Sequence, residues 1–333
     1  MSDHRYAHLL AMSDQRGLFE HAEGTQHRVE HGYCTDDNAR LLVVTSRDPD
    51  IDAAHHLSRM ALHFVRGAQD NDGRCRNRMD ANGRWTDSGT VEDCWGRALW
   101  GFGVAANQHG NPAVRRWAQR SFDKSIRQRS GWSRAMAFAA LGATEIATLD
   151  PHHAGARSLL GDFLAMIGPV PTSGWMWPEP RLRYGNASLA EAVIAAGEVL
   201  GSAADVERGL RMLDWLLTDE TLDGHLSVTG VGGRGPADIR PQFDQQPIEV
   251  AALADACWRA HLLTGEQRWA DGVLAAAAWF DGANDAGLSM ADPVSNGGYD
   301  GLQVDSVNLN QGAESTLALL STRQRAASFV SAA

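Results

Sequence analysis

The sequence predicts an all-α protein, an (α/α)6 barrel in which a ring of six inner helices is surrounded by a ring of six outer helices. Three observations predict it. Segments with the strand-type alternation of polar and apolar residues are scarce, whereas Ala- and Leu-rich segments with apolar residues three and four positions apart are abundant. The helices are of two kinds, which alternate along the chain. Short and long connections alternate in step with them.

Apolar periodicity predicts twelve helices, with ends placed to within about 2–4 residues. In chain order they cover 3–13, 36–45, 51–68, 92–107, 112–128, 133–148, 152–167, 187–200, 203–217, 247–264, 267–281 and 311–325. Pro112 and Pro247 stand at predicted helix starts, where the missing N–H loses no intrahelical hydrogen bond. Gly201 and Gly265 stand where helices should end.

Two kinds of helix alternate. Segments such as 135–141 are apolar on nearly every side, which predicts burial in the inner ring. Segments such as 114–120 carry a charged face and should form the outer ring. The long connections, which return from outer to inner helices, are 69–91, 168–186, 218–246 and 282–310. The N-terminal helix supplies the last outer position. We therefore predict one barrel domain, residues 1–325, followed by a C-terminal tail, residues 326–333.

Composition excludes several classes of function. Hydrophobic residues make up 44% of the 333, enough for a large core, and the net charge of −11 argues against a nucleic-acid partner. No apolar run approaches about 18 residues, so no membrane span is expected. The N-terminus lacks the apolar core of a signal peptide, which predicts a cytoplasmic location. The four cysteines show no CxxC spacing, and we predict neither a metal nor a cofactor.

Polar and aromatic clusters precede the inner helices. Because the inner helices of such a ring run parallel, their N-termini meet at one rim, which also carries the long loops where function usually lies. Helix capping accounts for some Asp, Asn and Ser residues there, but not for the arginines, tryptophans and paired acids. The aromatic residues expected at the rim are Trp85, Trp95, Trp132, Trp175, Trp177, Tyr33, Tyr184 and Tyr299. Aromatic faces, amides, arginines and carboxylates complement the C–H faces and hydroxyls of sugars.

Paired carboxylates point to glycosidic-bond chemistry, in which one acid protonates the leaving oxygen and another activates water or attacks carbon. The catalytic candidates are Asp36, Asp37, Glu92, Asp93, Glu249 and Glu314. The residues predicted to bind substrate are Tyr33, Asn38, Arg40, Trp95, Arg97, Trp132, Arg134, Trp177, Glu179, Tyr184, Asn186, Asp244, Gln245, Gln246, Asn310 and Gln311. His21 and His31, which precede the start of the first predicted inner helix, are candidates for proton transfer or ligand binding.

Five segments carry a family resemblance: 17–22 (GLFEHA), 32–40 (GYCTDDNAR), 92–93 (ED) with 96–100 (GRALW), 245–249 (QQPIE) and 308–316 (NLNQGAEST). In them the chain resembles a family of bacterial helical domains that stand alone or are fused behind glycosyltransferase domains, in clusters for surface polysaccharides or mannosides. Cys94 and Trp95 depart from the family's pattern. The resemblance implies an (α/α)6 fold, glycoside-hydrolase-like activity and an oligosaccharide or polysaccharide partner. It leaves open an association with a glycosyltransferase.

Four functions fit these residues. The leading hypothesis is a glycoside hydrolase. A sugar epimerase or isomerase on a similar barrel usually relies on histidines near the cavity floor, and no predicted inner helix carries such a histidine in its body. A phosphorylase would need a phosphate pocket built from the rim arginines. A glycan-binding module without catalysis would need tryptophans and amides, but not adjacent carboxylates.

Overall fold

The computed structural model describes residues 3–330, which contain twelve α-helices in two concentric rings. The inner helices are α2 (Thr35–Ser46), α4 (Asp93–Gln108), α6 (Ser133–Leu149), α8 (Asn186–Leu200), α10 (Pro247–Thr264) and α12 (Ala313–Val330). The outer helices are α1 (Ala7–Ala11), α3 (Asp52–Ala68), α5 (Pro112–Ser125), α7 (Ala154–Ile167), α9 (Ala203–Asp219) and α11 (Gln267–Phe280). Each inner helix packs on the next, and α12 packs on α2. This closed ring confirms the predicted (α/α)6 barrel.

The two ends of the chain differ from the predicted helix bounds. The first helix is a 3₁₀ turn, Asp3–Tyr6, followed by the short α1, which ends before Ser13 because Ser13 pairs with Leu18 in a β-bridge. The helix predicted to end at 325 continues through Val330. Ala326 is buried, and the ring of Phe329 packs edge-on against His261, so this last turn has its own contacts. Residues 331–333 of the predicted tail lie outside the described residues.

The inner ring is held by close backbone contact. In α6, every residue from 134 to 144 is buried, as expected of a helix that is apolar on all sides. At Gly142 the backbone of α6 lies directly against the carbonyl group of Leu99 in α4. A Cβ at Gly103 of α4 would likewise meet the backbone of Gly142. These glycines let two inner helices approach more closely than any side chain would allow.

Short antiparallel β-pairs stiffen the long loops. Their strands are β1 (Ala22–Glu23) with β2 (Gln26–His27), β3 (Tyr33–Cys34) with β4 (Arg78–Met79), β5 (Thr221–Leu222) with β6 (His225–Leu226), and β7 (Gly301–Leu302) with β8 (Val307–Asn308). The β3–β4 pair joins the loop before α4 to the residues that precede α2. A bridge between Gln245 and Leu302 joins the loops before α10 and α12. The rim is therefore a connected surface.

Two further features concern the cysteines and the apolar character of the helices. All four cysteines are buried free thiols. Within residues 3–330, no helix combines the length and the apolar character needed to cross a membrane.

Candidate functional site

An open cavity of about 520 Å³ lies where the N-termini of the inner helices converge. Its wall contains seven carboxylates: Glu20, Asp36, Asp37, Asp93, Asp244, Asp300 and Glu314. The wall also contains the guanidinium groups of Arg40, Arg78 and Arg97. Its other polar side chains are those of His21, Tyr184, Gln246, Asn308 and Ser315. The cavity is therefore acidic and rich in hydrogen-bonding groups.

The start of α2 places two consecutive carboxylates in this wall. The thiol sulfur of Cys34 caps the helix by accepting the backbone N–H of Asp37. The backbone N–H of Thr35 donates to Asn77, which anchors the helix start to the loop that follows α3. Asp36 and Asp37 occupy the first turn, where the helix dipole favours negative charge.

Asp36 belongs to a cluster centred on Arg97. A guanidinium nitrogen of Arg97 lies 2.8 Å from a carboxylate oxygen of Asp36 and 3.3 Å from one of Asp93. The side-chain amide of Asn77 donates to the other oxygen of Asp36 at 2.9 Å. Burial raises the pKa of Asp36, but the charges of Arg97 and Arg40 outweigh it and leave that pKa below its usual value. Asp36 is therefore ionised near neutral pH.

Asp37 lies in a different environment. Arg40 pairs with Asp37 and with Glu314, each at 2.6 Å, and the thiol of Cys34 donates to Asp37 at 3.0 Å. Burial, with the negative charges of Glu314 and Glu20, raises the pKa of Asp37 to about 6 despite the opposing charge of Arg40. The two neighbouring aspartates thus have pKa values shifted in opposite directions.

Asp244 and Asp300 form a second acidic part of the wall. Neither makes an ion pair with any residue between 3 and 330. The backbone N–H of Gly312 donates to Asp300 at 2.8 Å. Burial raises the pKa of both, with the charge of Glu314 adding to the effect at Asp300 and the charge of Asp300 adding to it at Asp244.

Glu20 and His21 reach the wall from the loop after α1. Arg78, on β4, forms an ion pair with Glu20. The Nδ1 atoms of His21 and His31 are 3.0 Å apart, so one imidazole donates a hydrogen bond to the other. Metal-binding atoms of Glu20, Cys34 and Asp37 lie within 4.8 Å of one another. Burial raises the pKa of the Cys34 thiol well above its usual value, which disfavours the thiolate that would bind a metal.

A second cleft of about 460 Å³ adjoins the cavity, and Asp93 and Tyr184 belong to both walls. The hydroxyl of Tyr184 donates to Asp93 at 2.5 Å. Besides Asp93 and Tyr184, this cleft contains four further residues that the sequence assigned to the site: Glu92, Trp132, Arg134 and Glu179. Arg134 pairs with Glu179 at 2.7 Å and lies over the ring of Tyr184. The predicted binding residues are therefore divided between two adjoining spaces.

Glu249, proposed from sequence as a catalytic acid, lies behind the wall. Its carboxylate accepts the backbone N–H groups of Gly185 and Asn186 and the side-chain amide of Asn186, and so holds the start of α8. Burial, with the charge of nearby Glu220, raises the pKa of Glu249 to about 8. Glu249 supports the backbone, and Asn186 belongs to this support and not to the cavity surface. We withdraw Glu249 from the catalytic candidates.

Replacing Glu249 with alanine should destabilise the protein by about 3 kcal/mol, because it leaves N–H donors of Gly185 and Asn186 buried and unpaired. The free energy of unfolding in urea measures the effect. Glu198→Ala, at the far end of α8, is the control and should change that free energy by less than about 0.5 kcal/mol. Equal stability of the Glu249→Ala protein and the wild type would contradict the supporting role.

Three aromatic residues predicted to contact substrate lie in the core instead. Trp95 is fully buried and donates its indole N–H to the carbonyl of Ser125. Trp177 is buried against Trp215. Tyr33 is buried, and its hydroxyl donates to Asp14. Large aromatic side chains gain most from burial, and the helix and loop packing at these positions directs them inward.

Four predicted amide ligands tie the loops together instead of lining the cavity. Asn38 exchanges hydrogen bonds with the backbone of Leu18. Gln245 donates to Asp285, Asn310 accepts the backbone N–H of Gly24, and Gln311 donates to Asp292. Amides carry both a donor and an acceptor, which suits this role. Gln246, by contrast, does line the cavity.

Sequence reasoning missed Asp300, Arg78 and Glu20. Asp300 precedes α12 in the same type of long loop that carries Asp244 before α10, and this parallel was a usable signal. Arg78 reaches the wall only because β4 pairs with β3. Glu20 lies inside the segment 17–22, but nothing in its spacing distinguishes it from a surface acid.

Comparison with known proteins bears on the fold. No protein-family model matches the chain, and no curated protein matches its sequence. Solved structures do match. Cellobiose 2-epimerase from Bacillus thermoamylovorans has a TM-score of 0.72 at 11% identity over 98% of this chain and 95% of that one. Cellobiose 2-epimerase from Spirochaeta thermophila has a TM-score of 0.70 at 12% identity, covering 98% and 95%.

An inactive variant of an α-1,6-mannanase from a Salegentibacter species, bound to α-1,6-mannotetrose, has a TM-score of 0.66 at 9% identity. The match covers 97% of this chain and 96% of the mannanase chain. At these identities the likeness establishes a shared fold. The chain is thus an (α/α)6 barrel similar in fold to sugar epimerases and glycoside hydrolases.

Proposed function

We propose that this protein cleaves a glycosidic bond in an oligosaccharide or polysaccharide. The observation that carries the proposal is the pair Asp36 and Asp37, consecutive in the chain, both in the cavity wall, with pKa values shifted in opposite directions. Two carboxyl groups, one protonated and one ionised, are what glycoside cleavage needs.

The environments of the two aspartates divide the roles. Asp37, whose pKa is about 6, retains its proton in mildly acidic solution and protonates the oxygen of the leaving sugar. Asp36 stays ionised beside Arg97 and either attacks the anomeric carbon or removes a proton from the attacking water. The acidic wall also stabilises the positive charge that develops on the sugar ring during bond cleavage.

The mannanase supports this choice of residues. Its inactive variant replaces two consecutive aspartates with alanine. In this chain two consecutive aspartates, Asp36 and Asp37, lie in the first turn of α2. That inactive mannanase holds an α-1,6-linked mannose oligosaccharide. We therefore place α-mannosides first among the substrates to be tested.

Sugar epimerisation is the second candidate, because two cellobiose 2-epimerases share the fold over nearly their whole length. The placement of histidines disfavours it. Among the described residues of the inner helices, His261 is the one histidine, and it lies in the last turn of α10, far from the N-terminal rim. His21 reaches the cavity only from a loop.

Phosphorolysis and simple binding are less well supported. The arginines of the cavity wall are each paired with carboxylates: Arg40 with Asp37 and Glu314, Arg78 with Glu20, and Arg97 with Asp36 and Asp93. A phosphate would have to displace those pairs. Binding alone would not need two neighbouring acids in opposite protonation states.

Product analysis tests the proposal. The purified protein would be incubated with α- and β-linked mannosides, glucosides and arabinosides, and the products separated and identified. New reducing ends support cleavage, whereas a change of sugar configuration without new reducing ends would establish the epimerase instead. If the protein binds glycans but turns over none of them, the enzyme proposal fails.

Activity should fall as pH rises through about 6, because Asp37 loses its proton there while Asp36 is already ionised. The alkaline limb of kcat/KM against pH measures this. Removing a negative charge near Asp37 lowers its pKa, so Glu314→Gln should move the limb to lower pH. A limb at unchanged pH in Glu314→Gln would contradict the assignment of Asp37 as proton donor.

A further inference from the structure

The cleft beside the cavity contains an aromatic surface with no intramolecular partner. Trp132 stands at the start of α6 and is 64% exposed. Its ring makes no stacking or cation–π contact with any residue between 3 and 330. Trp117, the other strongly exposed tryptophan, differs because the guanidinium groups of Arg66 and Arg120 cover it. Trp132 therefore presents a bare apolar face inside a cleft.

Polar groups without partners surround this face. The side chains of Arg183 and Glu92 are exposed in the cleft and form no ion pair within the described part of the chain. Glu179, by contrast, holds Ser133 and Arg134 with one carboxylate oxygen, and its other oxygen is buried and has no hydrogen-bond partner within residues 3–330. The guanidinium of Arg183 and the carboxylate of Glu92 are thus exposed beside the ring of Trp132.

The cleft adjoins the cavity at Asp93 and Tyr184, which line both spaces. Tyr184, itself 42% exposed, lies between the two spaces and donates its hydroxyl to Asp93. A chain-like ligand that fills the cavity would pass Tyr184 to reach Trp132. The two spaces therefore lie side by side, with Tyr184 and Asp93 between them.

We propose that the cleft binds a further sugar unit of the glycan whose scissile bond lies in the cavity, with the sugar ring stacked on Trp132. A sugar ring has an apolar C–H face for the indole and hydroxyls for Glu92 and Arg183. The inference rests on the proposed function and makes the substrate an oligosaccharide that extends beyond the cavity. Short glycosides would leave the cleft empty.

Chain-length dependence tests this inference. Wild type, Trp132→Ala and the matched control Trp117→Ala would be assayed for kcat/KM on manno-, gluco- and arabino-oligosaccharides of two to five units. Trp132→Ala should lose about tenfold or more on the longest substrate and little on the shortest. Trp117→Ala should match the wild type at every length, because Trp117 lies on the outer helix α5.

Binding to the same oligosaccharides would be followed in parallel by tryptophan fluorescence and calorimetry. If the wild type cleaves glycans and Trp132→Ala matches it at every length, the cleft inference fails and the proposed function stands. If binding tightens with length and depends on Trp132 but nothing is cleaved, the proposed function fails and the cleft stands. If the wild type neither binds nor cleaves any of these glycans, both fail.

Discussion

Replacing Asp37 with asparagine is expected to lower turnover by about 10²–10⁴-fold, the range attributed to a positioned proton donor or acceptor. The amide keeps the shape of the side chain but has no acidic proton to give to the leaving oxygen. Arg40 retains its second partner, Glu314, so the substitution does not leave a buried charge unpaired. Initial rates on the substrate identified by product analysis measure the effect.

Two further variants make this result specific. Asp52→Asn alters an exposed aspartate in the first turn of the outer helix α3 and should leave turnover unchanged. Asp36→Asn should lose activity as severely as Asp37→Asn, because it removes the ionised partner. Calorimetric binding of substrate by the inactive proteins separates lost chemistry from lost binding. Full activity in Asp37→Asn would remove Asp37 from the reaction.

Replacing Gly142 with alanine is expected to destabilise the protein by about 3 kcal/mol, at the upper end of the range for overpacking a core. Glycine in a helix interior is normally less stable than alanine by about 0.5–1 kcal/mol, so the expected sign is reversed here. The new methyl group would overlap the carbonyl of Leu99 and lie 2.8 Å from the backbone nitrogen of Trp100. Backbone atoms of a neighbouring helix cannot rotate away as a side chain can.

Gly161→Ala is the matched control. Gly161 lies within the outer helix α7, and a Cβ there would meet nothing within 4 Å. This variant should therefore gain about 0.5–1 kcal/mol, as helix propensity predicts. Urea unfolding followed by circular dichroism measures both. If Gly142→Ala is as stable as the wild type, the close α4–α6 contact does not determine the packing of the inner ring.

The arrangement of helices could be predicted because the apolar pattern of each segment determines whether that segment is buried. Apolar residues on every side of a segment such as 135–141 can be satisfied only by burial. Parallel inner helices then bring their N-termini to one rim regardless of details. The start of α2 could likewise be predicted as part of the site, since Asp36, Asp37 and Arg40 lie within two turns of one helix.

Glu249 and Asp300 show where sequence reasoning stops. Glu249 lies in the first turn of the inner helix α10, and Asp300 lies in the loop before the inner helix α12. Both are acids in segments rich in polar residues. Glu249 faces the neighbouring helix α8 and accepts its N-terminal N–H groups, whereas Asp300 faces the cavity. The direction of each side chain depends on the neighbouring helix and loops, which no local spacing records.

By itself, the sequence determined the (α/α)6 architecture and the rim on which the carboxylates stand, because helix periodicity and loop length are properties of short segments. Only the tertiary structure decided which residues of the rim line the cavity or the cleft. Trp95 and Trp177 lie in the core, whereas Trp132 is exposed. Asp36 pairs with Arg97, and Asp37 is buried near Glu314. The burial and the electrostatic environment of each side chain depend on residues that are distant in the sequence, and these residues come together only when the ring of helices closes.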